Sequence, residues 1–169
     1  YTEVADASPV PVLLYNVTMF TGVTLQVEAV ERLSAHPNIV GMKESGSDIS
    51  QIADLVTSAP SKFSILAGSG STFFAALCTG VAGGILALAA LLPEHCVRLF
   101  ELTRSQRYDE ARALQRRLLP IARLISSSYG VPGLKAALNA VACDVGRPRL
   151  PLADPRARGR GAQRGAGKT

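Results

Sequence analysis

The sequence predicts an α/β protein built from consecutive strand–helix units and a parallel sheet. Short, unbroken apolar runs are centred near positions 13, 41, 65 and 85, as expected for strands that are buried on both faces. Each run is followed by a segment whose apolar residues recur at helical spacing. From Pro93 onward the pattern is helical only, until about residue 147.

The first two units are the clearest. Pro9–Val17 predicts a strand with prolines only at its start, where a strand tolerates them. Leu25–Leu33 predicts the helix that follows, and Ile39–Met42 predicts the second strand. Asp48 stands three residues before Gln51, which resembles a capping box and predicts the start of the second helix.

Two further units and a helical region complete the pattern. Phe63–Ala67 predicts the third strand, Ser71 is the expected cap of a helix through Thr79, and Gly83–Ala89 predicts the fourth strand. Three more helices are expected over about 93–105, 108–127 and 131–143. The predicted domains are therefore four βα units over 1–92, a C-terminal helical region over 93–147, and a disordered Pro/Arg/Gly-rich tail over 148–169.

Four βα units in a row fit either an open doubly wound sheet or half of a (β/α)8 barrel. A complete barrel needs about 250 residues, which is more than the 169 of this chain. A half barrel leaves two open strand edges and an apolar inner face. We therefore expect the chain to be unstable alone, or to pair with another copy or a complementary fragment.

Composition and charge exclude several classes of protein. Hydrophobic residues make up 47% and charged residues 18% of the chain, which favours a folded core. No apolar run has the length of a membrane span, and the first residues do not resemble a secretion signal, so we expect a cytoplasmic protein without a membrane partner. The net charge of +5 arises from bases after Asp154, so no nucleic-acid partner is expected.

The cysteines do not indicate a disulfide or a metal site. Cys78, Cys96 and Cys143 are widely spaced, and only His36 and His95 could join them as nitrogen ligands. We interpret the three cysteines as buried thiols in a reducing compartment.

Two ionisable residues end neighbouring predicted strands. Tyr15 ends the first strand and Lys43 ends the second. Adjacent strands lie about 4.8 Å apart, so the phenol and the amine are expected to meet at the sheet edge where active sites occur. Desolvation favours the free amine, which attacks a carbonyl to form a Schiff base while the phenol moves protons. The alternative is a lysine that reaches water and a tyrosine at the edge of the core.

Glycine-rich segments follow the third strand and form the fourth. The amides of Gly68–Ser71 precede a helix and could hold a phosphate or a carboxylate, or the loop could be a tight turn without a ligand. Phe73 replaces the third glycine of a dinucleotide motif, which disfavours such a site. Gly83–Gly84 allows close backbone approach, although packing of a helix on the strand is the slightly preferred interpretation. Lys135 is interpreted as structural or as part of a subunit contact.

Several short motifs together resemble the dihydrodipicolinate synthase/N-acetylneuraminate lyase family. They are Tyr15–Val17, Thr21–Gly22, Ile39–Ser45, Leu66–Ser69 and Gly83–Ile85. Within that family, the Val-Gly-Met-Lys-Glu-Ser-Gly and Leu-Ala-Gly-Ser segments are similar to the 4-hydroxy-2-oxoglutarate aldolase branch. The resemblance covers about residues 1–152 and implies the second half of a TIM barrel, with these strands as the fifth to eighth.

The resemblance implies a Schiff-base-forming pyruvate aldolase or lyase. Lys43 would bind pyruvate, Tyr15 would relay protons, and Gly68, Ser69 and the main chain at Ile85 would line the substrate site. The reaction would make or break a carbon–carbon bond next to pyruvate, for example in splitting 4-hydroxy-2-oxoglutarate into pyruvate and glyoxylate. The resemblance implies no metal or organic cofactor, and a homotetramer for full-length relatives.

Two departures from the family pattern bear on the reaction. Phe20 stands where dihydrodipicolinate synthases usually have an arginine for the second substrate's carboxylate, which disfavours the alternative of a 4-hydroxy-tetrahydrodipicolinate synthase. Thr18 replaces a proline, so the loop after the first strand is less restrained. Two other readings remain: a phosphate-binding protein that uses Gly68–Ser71, and an inactive fragment or partner-binding subunit without catalysis.

Overall fold

A computed structural model describes residues 1–152 and shows one parallel sheet. Its order is β1-β2-β3-β4, so strands that follow one another in the chain are also neighbours. The bounds are β1 Val12–Asn16, β2 Ile39–Glu44, β3 Ser64–Ala67 and β4 Gly83–Gly84. This topology confirms the predicted α/β class with four parallel strands.

Helices follow each strand and form most of the region from Pro93 to Ala140. Their bounds are α1 Thr2–Ala7, α2 Thr18–Thr21, α3 Val27–Ser34, α4 Ile49–Ser58, α5 Phe73–Thr79, α6 Ala87–Leu91, α7 Pro93–Arg104, α8 Tyr108–Arg123 and α9 Gly130–Ala140. A π-helical turn, Leu124–Ser128, joins α8 to α9. The short helix α2 lies in the segment that the sequence analysis treated as the loop after the first strand.

The fourth strand is much shorter than the predicted Gly83–Ala89. Only Gly83–Gly84 form β4, and Ala87–Leu91 form α6. The N–H of Ile85 still donates to the Ala67 carbonyl at 2.9 Å, so the chain follows β3 for one more residue before it turns away. The segment after Leu86 is composed of alanine and leucine, and these strong helix formers explain why the strand ends early.

The predicted cap of α4 is correct, but the capping box is incomplete. The Asp48 carboxylate accepts from the N–H of Ser50 at 2.9 Å and from that of Gln51 at 3.2 Å. The side chain of Gln51 does not reach back to Asp48. Its Nε2 donates instead to the Leu25 carbonyl at 3.1 Å, which joins α4 to the loop before α3.

The predicted cap of α5 at Ser71 is wrong. The helix begins after Thr72, which makes no capping hydrogen bond with its side chain. The N–H of Phe74 donates to Oε1 of Gln115, a residue of α8, at 2.9 Å. A tertiary contact thus satisfies a main-chain donor that the local sequence was expected to satisfy.

The sheet has a covered face and an uncovered face. The covered face consists of Leu14, Asn16, Met42, Glu44, Ile65 and Ala67, which are all buried. Its apolar members belong to one hydrophobic core with residues of the surrounding helices, such as Val30, Ile52 and Leu55. The uncovered face consists of Leu13, Tyr15, Lys43, Leu66 and Ile85, which alternate with the buried residues and are exposed or half-buried.

The C-terminal helices extend the same core. Cys96, Leu99 and Leu102 of α7 and Leu118 of α8 are buried in the cluster that includes the covered face. Burial raises the pKa of the Cys96 thiol.

The prediction of three buried thiols is wrong for two of them. Cys78, in α5, and Cys143, after the end of α9, are exposed. Nζ of Lys135 donates to the carbonyls of Val145 and Arg147, at 2.6 and 3.3 Å, so Lys135 anchors the segment after α9.

The predicted tail over 148–169 lies largely outside the residues that the structure describes, which end at residue 152. The expected disorder of residues 153–169 therefore stays a prediction. Within residues 1–152, none of the helices has both the length and the apolar character needed to cross a membrane.

Candidate active site

Tyr15 and Lys43 lie side by side at the carboxyl ends of β1 and β2. They are register partners in the sheet, and both belong to the uncovered face. Nζ of Lys43 lies 4.2 Å from the centroid of the Tyr15 ring. Tyr15 is 51% exposed and Lys43 is half-buried, so both are within reach of a ligand on the uncovered face.

The contact between the two side chains is a cation–π contact. The ammonium of Lys43 lies over the face of the ring, an arrangement worth about 0.5–2 kcal/mol. Lys43 forms no ion pair with a carboxylate elsewhere in residues 1–152. The amine is therefore held by an aromatic face, and no acid in this part of the chain pairs with it.

A glycine lets the uncovered face form between β1 and β3. A Cβ added at Gly41 would lie 2.5 Å from the Ser64 carbonyl and 2.8 Å from Cδ2 of Leu13. Because real Cβ atoms do not approach backbone oxygen this closely, only glycine fits at this position. Gly41 thus allows Leu13 to lie across β2, two residues before the Tyr15–Lys43 pair.

The other predicted site residues lie at the same end of the sheet. Gly68 and Ser69 follow β3 directly and are half-buried, and Ile85 follows β4 and is exposed. Three main-chain hydrogen bonds continue the ladder beyond the strands: Ser45 N to Asn16 O at 3.0 Å, Gly68 N to Glu44 O at 2.6 Å, and Ile85 N to Ala67 O at 2.9 Å. The strand ends therefore form one continuous edge that carries all five predicted residues.

Gly68 packs directly against Ser45. A Cβ added at Gly68 would overlap Oγ of Ser45, so no larger residue fits there. The Ser45 hydroxyl is buried and has no hydrogen-bond partner among residues 1–152. The edge beside Lys43 thus contains one polar group whose hydrogen-bonding capacity is unused within the described chain.

The Gly68–Ser71 loop is held by a side chain from α8. Nε2 of Gln115 donates to the Gly70 carbonyl at 3.0 Å, while its Oε1 accepts from Phe74 N. This contact occupies an amide at the start of α5 that a phosphate would otherwise bind. The contact disfavours the interpretation of the loop as a phosphate site. The sequence analysis had no local signal for this contact.

Two buried polar residues of the site region were missed by the sequence analysis. Asn16 and Glu44 directly follow Tyr15 and Lys43, and Nδ2 of Asn16 donates to Oε2 of Glu44 at 2.6 Å. A signal was available, because period-two alternation places them on the same face as the apolar Leu14 and Met42.

No cluster of three histidine, cysteine, aspartate or glutamate side chains suited to a metal ion occurs within residues 1–152.

Comparison with known proteins gives consistent matches. An Exiguobacterium protein named 4-hydroxy-tetrahydrodipicolinate synthase is 37% identical over 152 residues, which are 90% of this chain and 52% of the relative. A crystal structure from Thermus thermophilus, assigned as a dihydrodipicolinate synthase, superposes with a TM-score of 0.84 at 38% identity, covering 98% of this chain and 58% of the other. The dihydrodipicolinate synthase of Thermotoga maritima gives a TM-score of 0.85 at 28% identity, covering 98% and 57%.

These matches support half of a (β/α)8 barrel rather than an open doubly wound sheet, because the chain spans only about half the length of the relatives and structures that it matches. The relatives carry the name 4-hydroxy-tetrahydrodipicolinate synthase. That name agrees with the alternative in the sequence analysis, and it does not support the narrower likeness to the 4-hydroxy-2-oxoglutarate aldolase branch.

A family profile described as the dihydrodipicolinate synthetase family matches residues 1–162, which is nearly the whole sequence. The match includes β1 to β4 and the edge that carries Tyr15 and Lys43. The chain belongs to the dihydrodipicolinate synthetase family.

Proposed function

We propose that this chain carries the nucleophile of a class I, pyruvate-dependent aldolase or lyase. The observation that supports the proposal most directly is the placement of Lys43 beside the Tyr15 ring, at the carboxyl ends of paired parallel strands. An amine and a phenol at this end of a sheet are the groups that Schiff-base chemistry requires. Membership of the family supports the same assignment.

In the proposed reaction, Nζ of Lys43 attacks the keto carbon of pyruvate as the free amine. Water leaves, and a protonated imine forms between Nζ and that carbon. The imine withdraws electrons, so the neighbouring methyl carbon loses a proton to give an enamine, which then attacks the carbonyl carbon of an aldehyde. Tyr15 accepts and returns the protons in these steps, and hydrolysis of the imine frees Lys43.

We propose that the pyruvate lies along the edge formed by Gly68, Ser69 and Ile85. Gly68 has no side chain to block the approach, and the main chain at Ile85 is at the exposed end of the neighbouring strand. The reaction as written needs no metal or organic cofactor, because the imine itself accepts the electron pair.

For the second substrate, we infer that the chain takes part in forming 4-hydroxy-tetrahydrodipicolinate, the product for which its relatives are named. A specific observation favours a second candidate. Phe20, in the short helix α2 after β1, is 82% exposed and apolar where the resemblance implies a carboxylate-binding arginine. Splitting 4-hydroxy-2-oxoglutarate into pyruvate and glyoxylate is therefore the second candidate.

We also propose that the protein works in the cytoplasm as a homo-oligomer, a tetramer by the family resemblance. The exposed apolar side chains of Leu13 and Ile85 on the uncovered face support association, because water contact with such a face is unfavourable.

Trapping with borohydride tests the nucleophile. The chain is incubated with pyruvate, reduced with sodium borohydride, digested and analysed by mass spectrometry. We expect Lys43 to gain the mass of pyruvic acid less one oxygen atom, because reduction fixes the imine as a stable secondary amine. Lys43→Arg abolishes the adduct because a guanidinium does not form the imine. Lys62→Arg, which changes an exposed lysine away from the edge, leaves the adduct unchanged.

The outcome separates the competing functions. A folded chain, shown by circular dichroism, that gives no adduct at Lys43 would overturn the proposal and support the inactive-fragment reading. If the adduct forms, assays with the two candidate reactions identify the second substrate. We expect Phe20→Arg to raise the rate only of a reaction whose second substrate places a carboxylate near α2. Phe20→Leu, which adds no charge, is the matched control.

A further inference from the structure

Beneath the Tyr15–Lys43 pair lies a buried polar pair, and we propose that its two members, Asn16 and Glu44, are positioning residues for the reaction. The inference rests on the proposed function of Lys43. Asn16 and Glu44 are the last residues of β1 and β2 and are register partners, as Tyr15 and Lys43 are one position earlier. Each is only 2% exposed.

Four hydrogen bonds form a network around this pair: one within the pair, two to the neighbouring loops, and one between Gln51 and the Leu25 carbonyl. Nδ2 of Asn16 donates to Oε2 of Glu44 at 2.6 Å, and the N–H of Gly46 donates to Oε1 of Glu44. Oδ1 of Asn16 accepts from the N–H of Leu25 at 3.1 Å, and the Leu25 carbonyl accepts from Gln51 at 3.1 Å. The network therefore joins the loop after β1, the loop after β2 and the start of α4.

Burying such a polar pair costs more free energy than burying apolar side chains of similar size. A buried carboxylate loses its hydration and requires hydrogen bonds or a counter-ion, and Glu44 has no cationic partner within residues 1–152. Its neighbours on the covered face, Leu14 and Met42, are apolar and equally buried. The polar pair is thus the exception on this face, and it occurs directly behind the reactive amine.

The geometry explains how the pair acts on the uncovered face. Successive residues of a strand point to opposite faces, so locking Asn16 to Glu44 fixes the relative height of Tyr15 and Lys43. The main-chain carbonyl of Glu44 also accepts a hydrogen bond from the N–H of Gly68 at 2.6 Å. The carbonyl of Asn16 accepts one from the N–H of Ser45 at 3.0 Å. The buried pair therefore sets the spacing between the nucleophile, the proton relay and the proposed pyruvate edge.

A swap of the amide and the carboxylate tests the proposal. Asn16→Asp alone places two carboxylates against each other. Glu44→Gln alone turns the new amide N–H toward a hydrogen-bond donor, either Nδ2 of Asn16 or the N–H of Gly46. In the double variant Asn16→Asp/Glu44→Gln, the new amide donates to the new carboxylate. Leu25 N and Gly46 N keep their acceptors, so only the hydrogen bond between the two side chains is reversed and the other two keep their direction.

The measured quantity is the rate of borohydride trapping at Lys43 as a function of pyruvate concentration. We expect each single variant to lower the maximal rate about 10- to 100-fold, the scale of misplaced reacting groups, and the double variant to recover most of it. Thr103→Val is the control, since it removes a buried hydrogen bond to Leu99 O in α7, far from the edge. It is expected to lower stability without lowering the trapping rate.

Several results would overturn the proposal. Single variants that trap pyruvate as fast as the original chain would show that the pair does not position the site. If the double variant traps pyruvate as slowly as the two single variants, the hydrogen bond between residues 16 and 44 is not what positions it. Amide hydrogen exchange at Ser45 and Gly68 separates this failure from failure of the proposed function. Faster exchange in both single variants, restored in the double variant, supports the network even if Lys43 never traps pyruvate.

Discussion

On the covered face of the sheet Met42 is 0% exposed, whereas on the uncovered face Leu13, one strand away, is 46% exposed. Both faces are built from alternating residues of the same strands. Helices α3, α4 and α5 bury the first face in the hydrophobic core, while the second faces outward with the amine and the phenol. The comparison indicates that one face supplies stability, whereas the other carries the residues for which we propose chemistry.

The separation has a physical reason. A side chain that reacts with a ligand must be accessible, and accessible side chains contribute little burial energy. The covered face is free to be apolar except at Asn16 and Glu44, where it supports the uncovered face. Substitutions on the two faces are therefore expected to affect different measurements.

The largest expected effect is on the uncovered face. Tyr15→Phe removes only the phenolic hydroxyl and keeps the ring under Lys43. We expect a loss of about 10²- to 10⁴-fold in turnover, the usual contribution of a general acid or base. The unfolding free energy should change little, because the side chain is half in solvent. A large loss of stability with turnover preserved would contradict the division between the faces.

The next effect is on the covered face. Met42→Ala is expected to lower the free energy of unfolding by about 2–5 kcal/mol, because it removes buried atoms and leaves a cavity. Leu13→Ala on the uncovered face is the matched control, and it should cost clearly less because Leu13 is half exposed. Urea denaturation of both variants measures the difference. Equal losses would show that another surface covers Leu13 in solution.

The smallest effect concerns α4, whose Ile52 and Leu55 belong to the same core as the covered face. Asp48→Ala is expected to cost about 0.5–2 kcal/mol, because the first turn of α4 loses the acceptor of two N–H groups. Asp48→Asn should retain most of the stability, since its side-chain oxygen still caps the helix. Thermal unfolding compares the two, and an alanine variant as stable as the asparagine variant would count against the cap.

Much of the fold and part of the site could be predicted from local patterns. The unbroken apolar runs predicted β1 to β3, and Asp48 predicted the start of α4. The end of β4 was missed because apolar runs of alanine and leucine suit a helix as well as a strand. The pairing of Tyr15 with Lys43 could be proposed because parallel neighbours end at one edge. The hydrogen bonds of Gln115 with Gly70 in the Gly68–Ser71 loop and with Phe74 in α5 could not, since these residues are far apart in sequence.

By itself, the sequence determined the parallel α/β architecture and the two reactive residue types at the strand ends, because apolar periodicity and chain order are local properties. Only the tertiary structure decided which face of the sheet is covered, how the amine sits over the ring, and that Asn16 and Glu44 meet behind them. These features depend on register, burial and contacts between distant segments, and such contacts exist only once the chain has folded.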